Sequence, residues 1–340
     1  LAAVFSLIPI IANSGCGSDA MSPRHAVQVV GNQLADGEGK TIRLLGVNRS
    51  GSEYACLTEG LGVFDGPIGK RAIAAMKTWR INAVRVPLNE DCWLGINGAP
   101  AKYSAARYHE AVKKYVIRLH KAGLYVVLDL HWSAPGAKLA AGQQPMADLD
   151  HAPDFWSSVA RTFKDDPAVV FDLYNEPYDV SWQCWRDGCL IPGGWRSAGM
   201  QTLVDAVRSA GSSQPVIATG LGSGSDLSGW LEYRPRDPAH QLAAGLHMYD
   251  FSAPCNEPDC WATEVGPVAR QVPVVTTELG QDTCPGPFID RFTSWADRAG
   301  LSYIGWTWNP TGCDAPALIK SWDGLPTASG AQFRAHLLGL

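Results

Sequence analysis

Val169-Val-Phe-Asp-Leu-Tyr-Asn-Glu-Pro177 starts as an apolar, β-branched run and finishes on Asn175-Glu176-Pro177. Valine and phenylalanine favour a strand, and proline cannot continue a sheet ladder. The stretch therefore predicts a buried strand that delivers Glu176 to its C-terminal end. Taken alone it serves equally well as a core strand closing on a surface Glu-Pro turn. The segments around it decide between the two.

Seven more segments of the same character occur: 43–48, 81–88, 124–131, 215–221, 242–249, 273–278 and 301–308. Near-continuous hydrophobicity suits parallel strands buried on both faces. Helical patterns separate several of them. Tyr103–Ala122 repeats apolar residues at helical spacing and stops at Gly123, a C-cap signal. Pro153–Lys164, Gly199–Ala210, Phe288–Ala299 and Gln332–Leu338 read likewise. This alternation predicts an α/β protein, a (β/α)8 TIM barrel in a single domain, with long disulfide-tied βα loops. Residues 21–42 read as an N-terminal hairpin or plug turning at Asp36-Gly37. Gly220-Leu-Gly-Ser-Gly224 is the nearest approach to a phosphate fingerprint, and its place after the fifth strand makes it a loop.

Composition narrows the class. Hydrophobic residues are 46% of the 340, enough to fill a large core. The net charge is −5 with no Lys/Arg block, so a nucleic-acid partner is not expected. Residues 1–15 are an apolar run interrupted by Pro9 and too short to cross a membrane. They read as the tail of a secretory signal, with residues 1–20 outside the folded domain and 21–340 forming it. Cys16 follows Ser-Gly, where a lipid anchor would attach, although Asn13 departs from such signals. The chain is expected outside the cell or on its surface, as a monomer.

Of nine cysteines, all but Cys16 fall in predicted βα loops. Export permits disulfides. Strands one and two are neighbours, as are seven and eight. The expected bridges are Cys56–Cys92, Cys184–Cys189, Cys255–Cys260 and Cys284–Cys313. Zinc is the rival reading for the two close pairs, but no neighbouring histidine completes either set. No metal and no cofactor are expected.

Barrel chemistry sits where strands end. The polar residues there are Asn48, Arg85, Asp129, His131, Asn175, Glu176, His247, Tyr249 and Glu278. Side chains two apart share a strand face, so Asp129 pairs with His131, His247 with Tyr249, and Trp306 with Trp308. Carboxylates on strands four and seven would face each other across the mouth. Retaining glycoside hydrolysis needs such a pair roughly 5–5.5 Å apart. Arg85 lies in an apolar run and needs a buried carboxylate, for which Glu278 is the natural partner. Glu176 would have to stay protonated, with its pKa raised by burial or nearby charge.

The motifs Gly46-Val-Asn48, Arg85-Val-Pro87, Asp129-Leu-His131, Tyr174-Asn-Glu-Pro177, His247-Met-Tyr249, Thr277-Glu-Leu-Gly280 and Trp306-Thr-Trp-Asn309 together resemble glycoside hydrolase family 5. The resemblance implies Glu176 as acid/base and Glu278 as nucleophile. It implies Arg85 and Tyr249 as supports of that nucleophile, and Asn175 as the partner of the sugar 2-hydroxyl. His131 and His247 would line the sugar site. Trp308 would be the indole under the reacting sugar, with Trp306 as the other claimant. Asp129 and Asp172 would order their neighbours. Asn89-Glu-Asp-Cys-Trp93 departs from the family pattern, which leaves the substrate open rather than the chemistry.

Thirteen tryptophans are more than a core requires. Trp93, Trp132, Trp182, Trp185, Trp195, Trp261 and Trp322 map to the catalytic side, where three or four are expected to touch sugar. Trp79, Trp156, Trp230 and Trp295 map to helices. The expected function is a secreted retaining endo-β-1,4-glucanase acting on a β-linked oligo- or polysaccharide. A β-mannanase or an exo-acting β-glycosidase is the alternative within the same chemistry. A non-catalytic carbohydrate-binding barrel and a metal-dependent hydrolase stand further off.

Overall fold

The structure is a computed structural model that describes residues 25–252, 255–313 and 315–340. The apolar leader and Cys16 lie outside the described residues. Eight parallel strands close into a barrel: β1 (Leu45–Asn48), β2 (Ala83–Asn89), β3 (Tyr125–Trp132), β4 (Val169–Asp172), β5 (Val216–Thr219), β6 (Leu242–Tyr249), β7 (Val274–Gly280) and β8 (Ser302–Gly305). Each pairs with its neighbour in sequence, and β8 pairs with β1. This is the (β/α)8 barrel that the alternation predicts.

The helices Lys70–Lys77, Ala106–Lys121, Ala152–Phe163, Gly199–Ser209, Phe288–Ala299 and Ala328–Gly339 follow β1, β2, β3, β4, β7 and β8. The last is longer than the sequence suggests, because Thr327 caps it by accepting from the Gly330 N–H. The crossover after β5 is a single turn, Trp230–Tyr233, and short helical pieces follow β6.

Strand parity separates two cores. Val126, Leu128 and Leu130 pack outward against the helices, while Tyr125 and Val127 join an inner layer with Ala83, Val170, Ile217, Ala243 and Ile304. Two residues beyond Ala83, Val127, Val170 and Ile217 come Arg85, Asp129, Asp172 and Thr219. The barrel interior thus passes from an apolar floor to a polar mouth within one pleat. A three-stranded antiparallel sheet, Gln28–Val30, Gln33–Ala35 and Thr41–Ile42, lies under the floor. Val27 and Leu34 pack there against the inner layer. The Asp36 carboxylate accepts from the Glu38 and Lys40 N–H groups and so makes the turn at Asp36-Gly37.

Two strands depart from simple parity. In β7, Thr276 pairs with Leu246 but Glu278 with His247, leaving Thr277 as a bulged extra residue. The bulge lets Val275 and Glu278 both face inward although they are three apart. In β4 the ladder stops at Asp172, four residues before Glu176, not at Glu176 as the proline suggests. The chain then weaves between its neighbours: Leu173 donates to the Ile217 carbonyl and Asn175 to the Leu130 carbonyl.

Four disulfides join Cys56 to Cys92, Cys184 to Cys189, Cys255 to Cys260 and Cys284 to Cys313. The first ties the loops after β1 and β2, and the last those after β7 and β8. The other two each brace one loop. Among the described residues no helix is long and apolar enough to cross a membrane.

Candidate active site

Arg85 is the hub of the mouth. Fully buried on β2, its guanidinium donates to Glu278 (2.8 Å), Asp172 (2.9 Å), Asn175 (2.9 Å) and Asn48 (3.0 Å). It also lies 3.0 Å from Asp129. Burial alone would lower its pKa, but Asp129, Asp172 and Glu278 together hold it above its usual value. One guanidinium cannot neutralise three buried carboxylates. Burial accordingly pushes Asp129 and Asp172 up to about 7, against the opposing pull of Arg85.

Glu278 is almost fully buried. Arg85 donates to one of its oxygens and the Tyr249 hydroxyl to the other, at 2.6 Å. Two donors and no acceptor are the environment of an ionised carboxylate. Glu176 sits differently. Its side chain keeps 28% of its surface open to the mouth. Desolvation by its surroundings raises its pKa, with His131 and Arg85 opposing. The His247 Nδ1 lies 3.1 Å from Glu176 and 3.6 Å from Glu278. One oxygen of each glutamate and one ring nitrogen of His247 all lie within 4.8 Å of one another.

Both histidines are kept neutral. Burial lowers His131 to about 4 and His247 to about 3. His131 Nδ1 lies 2.6 Å from Asp129, to which its N–H donates. His247 is held from behind by the loop after β5, where its backbone N–H donates to the Gly224 carbonyl. Gly224 has a φ of +83°, and a Cβ there would stand 2.8 Å from the imidazole. Only glycine fits that approach.

Of the two tryptophans after β8, Trp306 stands beside the site histidine and Trp308 does not. Trp306 is half-buried and stacks parallel to His131, with ring centroids 5.6 Å apart. Trp308 is fully buried and packs edge-on against Trp79, 4.9 Å away, in the outer core. The two-residue rule holds only within a strand, and β8 ends at Gly305. Beyond it the chain turns to dock on β1: the Trp308 backbone N–H donates to the Asn48 carbonyl, and the Ser50 and Thr307 hydroxyls meet at 2.8 Å.

Burial divides the wider tryptophan set. Trp93, Trp185 and Trp261 are fully buried beneath the loops and cannot touch a sugar. Trp132, Trp182, Trp195 and Trp322 keep partial exposure. Trp132 lies near Tyr54, with ring centroids 6.3 Å apart, and Trp322 underlies Arg49 at 4.3 Å. Sequence reading missed Phe251. It is 55% exposed and stacks on Tyr249 with ring centroids 4.8 Å apart.

Among the described residues, two groups are close enough to share a cation. Cys255, Cys260 and Glu264 form one, but its two sulfurs are joined in a disulfide. Glu176, His247 and Glu278 form the other. The same three residues can instead do proton and carbon chemistry. One acid with a raised pKa can protonate a leaving oxygen while the anchored carboxylate beside it attacks carbon.

Known proteins share this frame. The cellulase family, glycosyl hydrolase family 5, matches residues 36–312. Endoglucanase E-5 of Thermobifida fusca is 25% identical over 83% of this chain, which spans about half (55%) of that protein's length. A mannan endo-1,4-β-mannosidase of Streptomyces lividans is 23% identical over 91% of this chain and 73% of its own. Among solved structures, the β-glucanase SdGluc5_26A of Saccharophagus degradans in complex with cellotetraose superposes with a TM-score of 0.72. It is 21% identical and covers 96% of this chain and 98% of its own. The family match begins before the first barrel strand and ends beyond the eighth, so the chain belongs to glycosyl hydrolase family 5.

Proposed function

We propose that this chain is an exported, monomeric endo-β-1,4-glucanase working by double displacement, with residues 21–340 as its catalytic domain. The observation that carries the mechanism is the approach of Glu176 to Glu278, with oxygens within 4.8 Å. Inverting enzymes hold their carboxyl groups about 6.5–9.5 Å apart, leaving room for a water between them.

In the first step an oxygen of Glu278 attacks the anomeric carbon. Glu176 gives its proton to the glycosidic oxygen, and the sugar on that side departs as an alcohol. Arg85 and Tyr249 hold Glu278 in place. In the second step Glu176, now a carboxylate, takes a proton from water. The water oxygen attacks the anomeric carbon and releases Glu278. Asn175, whose side-chain oxygen accepts from Arg85, donates in this reading to the 2-hydroxyl of the reacting sugar. Trp306 offers its face to the apolar side of that ring. Both histidines, lowered by burial to about 4 and about 3, can donate or accept near neutral pH without adding charge.

The glucan assignment rests on the endoglucanases among the relatives and on the neighbour solved with cellotetraose. The mannosidase relative favours mannan as the second reading. The two separate on carboxymethylcellulose and a linear mannan. Viscosity of the cellulose solution should fall well before reducing ends accumulate. Activity on mannan alone, or on aryl glycosides alone, would defeat the endoglucanase assignment. Four disulfides support export.

A further inference from the structure

Glu176 and Asn175 lie past the end of β4, where no ladder holds the backbone. Their support comes from the loop after β3. The Tyr174 hydroxyl donates to the Gln144 carbonyl (2.8 Å) and accepts from the Gln144 N–H (3.2 Å). The Tyr178 N–H donates to the Pro145 carbonyl at 3.0 Å. Residues 144 and 145 are thus stapled to both sides of the Asn175-Glu176 pair, and Gln143 is carried to the pair itself.

The Gln143 carboxamide spans the two residues. Its oxygen accepts from the Asn175 Nδ2 at 3.0 Å, and its nitrogen donates to the Glu176 carbonyl at 3.1 Å. The nitrogen also donates to the Gln144 carbonyl at 3.0 Å. The direction of this chain is fixed at both ends. Arg85 can only donate, so Asn175 must turn its oxygen to Arg85 and its NH2 outward. Backbone carbonyls can only accept, so Gln143 must turn its nitrogen to Glu176 and its oxygen to Asn175. A flip of either amide would set donor against donor or oxygen against oxygen.

We propose that Gln143 is a positioning residue for the reaction. It aims the Asn175 NH2 at the sugar 2-hydroxyl and fixes the backbone from which the Glu176 side chain extends. This inference rests on the proposed glycoside hydrolysis. No part of it requires Gln143 to touch substrate.

The test compares wild type, Gln143→Ala and Gln143→Glu on an aryl β-cellobioside and on its analogue lacking the 2-hydroxyl of the reacting ring. Gln143→Ala should lower kcat about tenfold on the full substrate, with KM little changed. On the 2-deoxy analogue the loss should shrink to about twofold, because the contact that Asn175 makes is already missing. Gln143→Glu keeps an acceptor for Asn175 but adds negative charge beside Glu176. It should move the alkaline limb of the pH–activity profile upward. Equal losses on both substrates, no loss on either, or an unmoved limb would overturn the proposal. If wild type hydrolyses neither substrate, the proposed function itself fails and takes this inference with it.

Discussion

Arg85 shows how one residue sets the terms for several others. Its five donors meet three carboxylates and two amide oxygens, and each partner is oriented by what arginine cannot do, which is accept. The sequence showed that an arginine inside Val84-Arg-Val86 must be paired and pointed to Glu278. It did not show that Asp129 and Asp172 share the same guanidinium, because their strands come together only on barrel closure. Trp306 and Trp308 mark a different limit. Residue type and spacing offered both indoles, and the choice depended on where β8 stops pairing, which is a tertiary fact. Gln143 was invisible for the same reason, since nothing in Gly142-Gln-Gln-Pro145 marks it as more than a loop residue. The tryptophan pair yields opposite expectations. Trp308→Ala opens a cavity beside Trp79 and should cost about 3–5 kcal/mol of stability in denaturant unfolding. Trp306→Ala should leave that stability within about 1 kcal/mol of wild type while sharply lowering kcat/KM on cello-oligosaccharides. A reversal of those two patterns would restore Trp308 as the indole of the site.

At the level of elements, strands supply the chemistry and loops hold it. The hydrophobic runs disclosed all eight strands because each is buried on both faces, but their ends shifted wherever the ladder broke. The Thr277 bulge re-aims Glu278, and a bulge leaves no mark in hydropathy. The residues after β4 leave the ladder four positions before Glu176 and borrow their support from another loop. The disulfides followed from the strand map, since loops after adjacent strands are adjacent in space. Their contribution can be measured. Removing Cys284–Cys313 by a double Ser substitution frees the loops that follow Glu278 and Trp306. It should lower unfolding stability by about 2–4 kcal/mol and reduce kcat more than it raises KM. An unchanged melting profile would show that the hydrogen bonds from Asp282 and Thr283 to Asp250 secure these loops without the bridge.

At the scale of the molecule, the described residues include more buried acid than buried base can neutralise. Burial raises Glu53 from 4.5 to about 8 and Asp129 and Asp172 from 3.8 to about 7. In the folded chain these groups hold protons that the unfolded chain has already released. Their stabilising contribution is therefore complete below pH 4 or so and is lost as pH rises through 7 to 8. Half-buried His25 and His109 and buried His131 and His247 are shifted below 6.5, so from about pH 7.5 upward they are neutral whether the chain is folded or not. Between about pH 7.5 and 8.5 the carboxyls decide the slope between these two sets of groups, and the melting temperature should fall steadily. A rising melting temperature over that window would contradict the assignment of buried, protonated carboxyls.

The proposed mechanism depends most on the short gap between Glu176 and Glu278, and one measurement addresses it directly. Hydrolysis of a cello-oligosaccharide can be followed by proton NMR in the first minutes, before the new reducing end mutarotates. The account predicts that the β-anomer appears first and later relaxes to the equilibrium mixture. First appearance of the α-anomer would mean inversion through a bound water, and the double displacement argued from this site would be wrong.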